Sequence, residues 1–65
     1  MKVVKVSAIL RALKTDGWYK VNQVGSHRQF RHPTKKGKVT VNGSESDDVW
    51  GRLLKSIEEQ SGLTF

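Results

Sequence analysis

The chain contains no cysteine, which excludes a disulfide framework and any thiolate metal site. That usage suits a reducing cytoplasm. No apolar run approaches the ~18 residues of a membrane span, and the N-terminal residues lack the apolar segment of a secretory signal. The expected compartment is therefore the cytoplasm, with no membrane partner. Acidic residues are scarce over the first two-thirds. Residues 1–44 hold ten Lys and Arg against Asp16 alone, a charge of +9, and residues 45–65 carry −3, which together give the net +6. A basic region of that density suits a polyanionic partner, or else forms a solvated basic surface. Two-metal nuclease chemistry needs several converging carboxylates, and this region offers none. Neither a metal nor a small-molecule cofactor is expected.

Sixty-five residues leave room for one domain, residues 1–65, and one modest core. A chain of this size buries roughly 60% of its unfolded surface and gains a stability of only ~3–5 kcal/mol. No repeat or low-complexity tract interrupts it, and its one long loop is expected from Asn42 to Ser46.

Two helices are predicted at the ends. Ser7 is a suitable N-cap, Ile9, Leu10, Ala12 and Leu13 form an apolar stripe, and Gly17 follows the last turn, where a left-handed residue is expected. Residues 47–61 show the same spacing in Val49, Trp50, Leu53, Leu54 and Ile57. Ser46 or Asp47 would cap that helix and Gly62 would end it. Gly51 weakens its first turn by about 1 kcal/mol relative to alanine.

The stretch between them reads as strand. Trp18–Val24 and His27–His32 flank Gly25-Ser26, a two-residue loop with glycine first, which suits a type II′ hairpin. An uninterrupted register then opposes Val24 to His27, Asn22 to Gln29, Val21 to Phe30 and Lys20 to Arg31. One sheet face would carry Val21 and Phe30, with Tyr19 nearby. The other would carry Lys20, Asn22, His27, Gln29 and Arg31. A third strand, Lys38–Asn42, would add Val39 and Val41 to the apolar face, and Pro33–Gly37 would make the turn. The fold class is α+β: an α-β-β-β-α sandwich with a three-stranded antiparallel sheet, two helices on one face and the other face open.

His27 lies on that open face, with Lys20, Arg31 and Lys38 around it and Arg28 beside it in sequence. RNA carries its own nucleophile, the 2′-hydroxyl. A cleaving protein needs a base for that proton and cations for the developing phosphorane charge. His27 is the candidate base, and the products would be a 2′,3′-cyclic phosphate and a 5′-hydroxyl. The plainer reading makes His27 a polar residue beside a turn. Lys35, Lys36 and Lys38 are candidate phosphate ligands or a solvated turn. Ser26 is a turn residue able to reach a phosphate. His32, on the opposite face, reads as a packing or hydrogen-bonding residue rather than a leaving-group acid. Asp47-Asp48 reads as a favourable charge pair at a helix start rather than a metal site. Trp18 and Trp50 could stack on bases, with burial favoured for Trp50.

Several runs carry a resemblance: Leu13-Lys14-Thr15-Asp16-Gly17-Trp18, Gly25-Ser26-His27-Arg28-Gln29-Phe30, His32-Pro33-Thr34-Lys35, Val39-Thr40-Val41, Ser56-Ile57 and Gln60-Ser61-Gly62-Leu63. In order and spacing the chain resembles the HicA toxin family over nearly its whole length. The resemblance implies a double-stranded-RNA-binding-like fold and a type II toxin–antitoxin system with a HicB-like antitoxin as partner. It also implies a metal-independent endoribonuclease that cuts mRNA. The family's catalytic histidine, in its Gly-Ser-His motif, falls on His27. Where many relatives read Asp-Asp-Ile-Pro-Pro-Gly-Thr-Leu, this chain reads Asp47-Asp48-Val49-Trp50-Gly51-Arg52-Leu53-Leu54, and Glu58 stands at a usually apolar position. The start of the second helix, and its contacts with antitoxin or RNA, are where this chain should differ. Two other classes compete with the enzyme: a non-catalytic RNA-binding module, and a protein-interaction module that binds an acidic partner through the basic face.

Overall fold

A computed structural model describes residues 1–65. In chain order the elements are β1 (Val3–Lys5), α1 (Val6–Thr15), β2 (Tyr19–Val24), β3 (His27–Arg31), β4 (Val39–Val41), β5 (Asp48–Trp50) and α2 (Gly51–Ser61). Strands β2, β3 and β4 form an antiparallel sheet in that order. The expected α+β class and three-stranded sheet are therefore present, with both helices packed on one sheet face through a shared core. That core joins Val6, Ile9 and Leu13 of α1 to Phe30, Val39 and Val41 of the sheet and Leu54 and Ile57 of α2.

The β2–β3 turn forms as its residues dictate. Gly25 has φ +59° and Ser26 has no positive φ, the signs that a type II′ turn requires. Val24 faces His27 and Asn22 faces Gln29, as the turn predicts. Beyond Asn22 the register shifts: Lys20 pairs with Phe30 and Tyr19 with Arg31, which leaves Val21 as an extra residue. A bulge reverses the alternation of every residue past it. The expected faces of Lys20, Val21 and Tyr19 are therefore corrected. Lys20 shares the helix-side face with Phe30, Val21 is exposed at the bulge, and Tyr19 joins Arg31 on the open face. The bulge lets Trp18 turn into the core while Phe30 keeps its buried place. Both are under a tenth exposed.

Helix α1 ends as predicted. Gly17 has φ +101°, the Gly17 amide donates to the Lys14 carbonyl, and the Trp18 amide donates to the Leu13 carbonyl. These are the two bonds of a Schellman cap, completed by burial of Leu13 and Trp18. Its beginning differs from expectation. The helix starts at Val6 with Lys5 as N-cap and no side-chain cap, so Ser7 lies inside it. Its first orphan amides are satisfied from far along the chain: Val6 donates to the Asp47 carbonyl and Ser7 to the Glu45 carbonyl.

The same region corrects the second helix. Residues 48–50 form a strand that pairs antiparallel with β1, Val4 opposite Val49 and Val3 opposite Trp50. Helix α2 begins only at Gly51, which adopts φ +61° at the corner. Val49 is buried as expected, but Trp50 and Leu53 are each about half exposed (52% and 55%). Trp50 is thus an outward strand residue, not part of a buried helical stripe. The helix ends at Gly62 (φ +74°), as expected, with the Gly62 amide donating to the Glu58 carbonyl. The Glu58 side chain accepts from Lys2 Nζ at 2.7 Å and from the Phe65 amide at 2.9 Å, so its polar character serves to tie both chain ends to α2.

Candidate functional site

The open face of the sheet is built in three rows. Val24 and His27 form the row nearest the hairpin turn, Asn22, Gln29 and Thr40 the middle row, and Tyr19 and Arg31 the far row. Along a strand such rows are about 7 Å apart, so His27 and Arg31 lie roughly 13 Å from one another. His27, Asn22, Tyr19 and Arg31 are exposed, and Gln29 and Thr40 are partly so. The side chains of His27, Asn22, Gln29 and Arg31 make no hydrogen bond or ion pair within the protein, in contrast to the bonded groups of the helix side such as Gln23 and Arg28. Their donors and acceptors all remain available to a ligand. His27 is itself the first residue of β3, directly after the tight turn and paired with Val24 of β2.

The structure brings only part of the expected basic set to this face. Arg31 shares it directly, and Lys38 precedes β4 with its exposed side chain unpaired. Lys36 is also exposed and free. Arg28 alternates with His27 and lies on the helix side opposite Gln23 and Val41. There its guanidinium donates to the carbonyls of Gly43 (2.8 Å) and Ser26 (3.3 Å). Lys20 points to the same side, hydrogen-bonded to Gln23. The placement of Lys20 and Arg28 around His27 is therefore corrected: the bulge turns Lys20 away, and simple alternation turns Arg28 away. Ser26 is exposed in the turn beside His27.

Lys35 and His32 belong to a separate knot. Lys35 Nζ donates to the Asp16 carboxylate at 2.5 Å and to the Ser61 carbonyl at 3.1 Å. The Asp16 carboxylate also accepts from the Trp18 indole at 3.1 Å. The Lys35 bond, more than any other cause, holds the Asp16 carboxyl below its ordinary value, and the Trp18 bond adds to it. His32 Nε2 donates to the Asp16 carbonyl at 2.6 Å, while Nδ1 accepts the amides of Thr34 and Lys35 at 3.1 Å each. The ring also meets the Trp18 edge at a centroid distance of 5.1 Å. With both nitrogens engaged in the neutral tautomer, His32 ties the end of α1 to the loop after β3. No group of three or more His, Cys, Asp or Glu side chains converges anywhere in the chain, and no helix is long and apolar enough to cross a membrane.

Sequence reasoning overlooked one member of the face. Tyr19 is half exposed beside Arg31, and strict alternation had turned it to the apolar side. The signal available was Trp18: burying it next to a fixed Phe30 requires an extra residue in β2.

The Gly25-Ser26-His27 turn thus presents an unpaired histidine on an open sheet face that carries Arg31 at its far row. The family model described as the HicA toxin of bacterial toxin–antitoxin systems matches residues 6–63. The chain belongs to the HicA toxin family. Membership makes it a toxin-type component of a toxin–antitoxin system, and it implies a HicB antitoxin as partner. No individual curated protein matches the chain. Within the HicA match lie both helices, the whole three-stranded sheet and His27. Of the elements, only β1 lies before residue 6.

Proposed function

We propose that this HicA toxin is a metal-independent endoribonuclease that cuts mRNA, with His27 as its single catalytic residue. The observation that carries this is the state of His27: exposed, without an intramolecular partner, mounted on a paired strand, and on an open face with Arg31 and Lys38. The imidazole accepts the proton of a 2′-hydroxyl, and the resulting oxyanion attacks the adjacent phosphorus. The P–O5′ bond then breaks, and the departing 5′-oxygen takes a proton from the imidazolium or from water. Arg31 and Lys38, with Lys36 further out, hold neighbouring phosphates of the RNA strand, since Arg31 lies roughly 13 Å along the sheet from His27. The Ser26 hydroxyl and amide, next to His27, are placed to contact the same phosphate. Lys35, ion-paired with Asp16, adds less to this set than the unpaired cations. Lys20 and Arg28 leave the set that surrounds the reacting phosphate, and Arg28 instead braces the turn that carries His27.

The test is incubation of the purified protein with a 5′-labelled mRNA fragment in excess EDTA. Cleavage should persist, and the fragments should end in a 2′,3′-cyclic phosphate that acid opens to a monophosphate. Cleavage that stops on chelation and returns with a divalent ion would overturn the metal-free scheme. An RNA that binds and is never cut would make the chain a non-catalytic RNA-binding module.

A further inference from the structure

The middle row of the open face has no role in the proposed proton transfer, yet it is the best equipped for recognition. Asn22 and Gln29 face one another across β2 and β3, with Thr40 next in the row. Neither amide side chain bonds to any group of the protein, even though Gln29 is only partly exposed near the sheet centre. Each presents one acceptor and two donors, the complement of a base edge. One row along, the Tyr19 ring is 52% exposed and backed by Arg31. An aromatic ring, a pair of free amides and a catalytic histidine thus follow one another along the strands at steps of about 7 Å.

We infer that Asn22 and Gln29 read the hydrogen-bonding edge of one unpaired base in single-stranded RNA, while the neighbouring base stacks on Tyr19. The inference rests on the reading of this face as an RNA surface and adds which form of RNA it takes and which residues select the sequence. Single strands fit because their bases can splay onto an aromatic platform and expose their edges. A duplex hides those edges in stacked pairs and is read chiefly through phosphates and 2′-hydroxyls. The division of labour follows: Arg31 and Lys38 hold phosphates without regard to sequence, and the amide pair chooses the base.

The experiment measures binding by fluorescence anisotropy, with His27→Ala as the parent protein so that the RNA survives. The probes are labelled oligo(A), oligo(C) and oligo(U) of equal length and a mixed-sequence duplex. The parent should bind at least one single strand several-fold more tightly than the others and more tightly than the duplex. Adding Asn22→Ala and Gln29→Ala should bring the three homopolymers to within about twofold of one another and leave the salt slope unchanged. Adding Tyr19→Ala instead should weaken all three by a similar factor, between about 5- and 150-fold, the range for loss of one stacked base; Tyr19→Phe should restore it. Circular dichroism confirms that each variant folds. If the parent ranks the homopolymers and the double variant keeps that ranking, the amides do not read the base. Equal binding of all probes by the parent overturns this inference alone, whereas absence of binding to any probe overturns the RNA reading beneath it as well.

Discussion

Gly17 meets two constraints at once. Its φ of +101° closes the Schellman cap of α1, and a Cβ at this position would lie 3.0 Å from His32 Nε2. Gly17→Ala is therefore expected to destabilise the fold by about 1–3 kcal/mol through backbone strain, with further loss as the His32 ring is pushed off the Asp16 carbonyl. A thermal melt checks this, and a melt close to wild type would show that the cap relaxes freely. The glycine's first constraint was legible in the sequence, because glycine after a helical stripe is the ordinary helix stop. Its second was not, because His32 reaches it only through the tertiary fold. Arg28 teaches the same lesson: next to His27 in sequence, it points the other way and bonds two backbone carbonyls.

At the scale of elements, the type II′ turn, the end of α1 and the end of α2 could all be read locally, since each depends on a glycine and its immediate neighbours. The start of α1 could not. Its caps are carbonyls of residues 45 and 47, and no local signal announces a partner some forty residues away. The β1–β5 pair escaped for a related reason: three-residue strands carry too little periodicity to separate them from a helix that follows directly. Substitutions distinguish the two descriptions. Phe30→Ala removes a ring that is 8% exposed, and a loss of roughly 3–5 kcal/mol is expected, close to global unfolding for so small a domain. Trp50→Ala removes a half-exposed ring on a strand, so its loss should fall well below the ~3–5 kcal/mol typical of a buried tryptophan. Urea titrations of the two variants settle the point. Equal losses would return Trp50 to a buried helical stripe.

At the scale of the whole molecule, the segregation of charge was plain in the sequence, and the structure shows which cations remain free. Lys2, Lys5 and Lys35 are paired with Glu58, Asp48 and Asp16, while the other nine Lys and Arg have no acidic partner, among them Arg31, Lys36 and Lys38. Arg31→Ala and Lys38→Ala should each lower the log–log salt slope of single-stranded RNA binding by about 0.7, and Lys35→Ala by less. An unchanged slope in both variants would move the phosphate surface elsewhere. Two of the paired acids give the fold a share of its acid sensitivity. The Asp16 carboxyl is lowered chiefly by the Lys35 hydrogen bond, and that of Glu58 chiefly by the Lys2 hydrogen bond, with help from the Phe65 amide. As pH falls, the unfolded chain therefore takes up these protons first. Their contribution is fully present above the ordinary carboxylate range and disappears as pH drops through the lowered folded values. The melting temperature should fall on acidification in that range, and Asp16→Asn should flatten the fall while lowering the neutral-pH plateau. A wild-type acid slope in Asp16→Asn would exclude the knot as its source.

The central claim is that one side chain, His27, divides cutting from binding on this face. The direct measurement is cleavage of a labelled transcript by His27→Ala, run beside its circular dichroism spectrum and its RNA affinity. General acid–base groups typically contribute about 10²–10⁴-fold to rate. Cleavage should therefore become undetectable or fall by that factor, while fold and affinity stay near wild type because the phosphate contacts remain. A folded His27→Ala protein that cuts as fast as wild type would contradict the account.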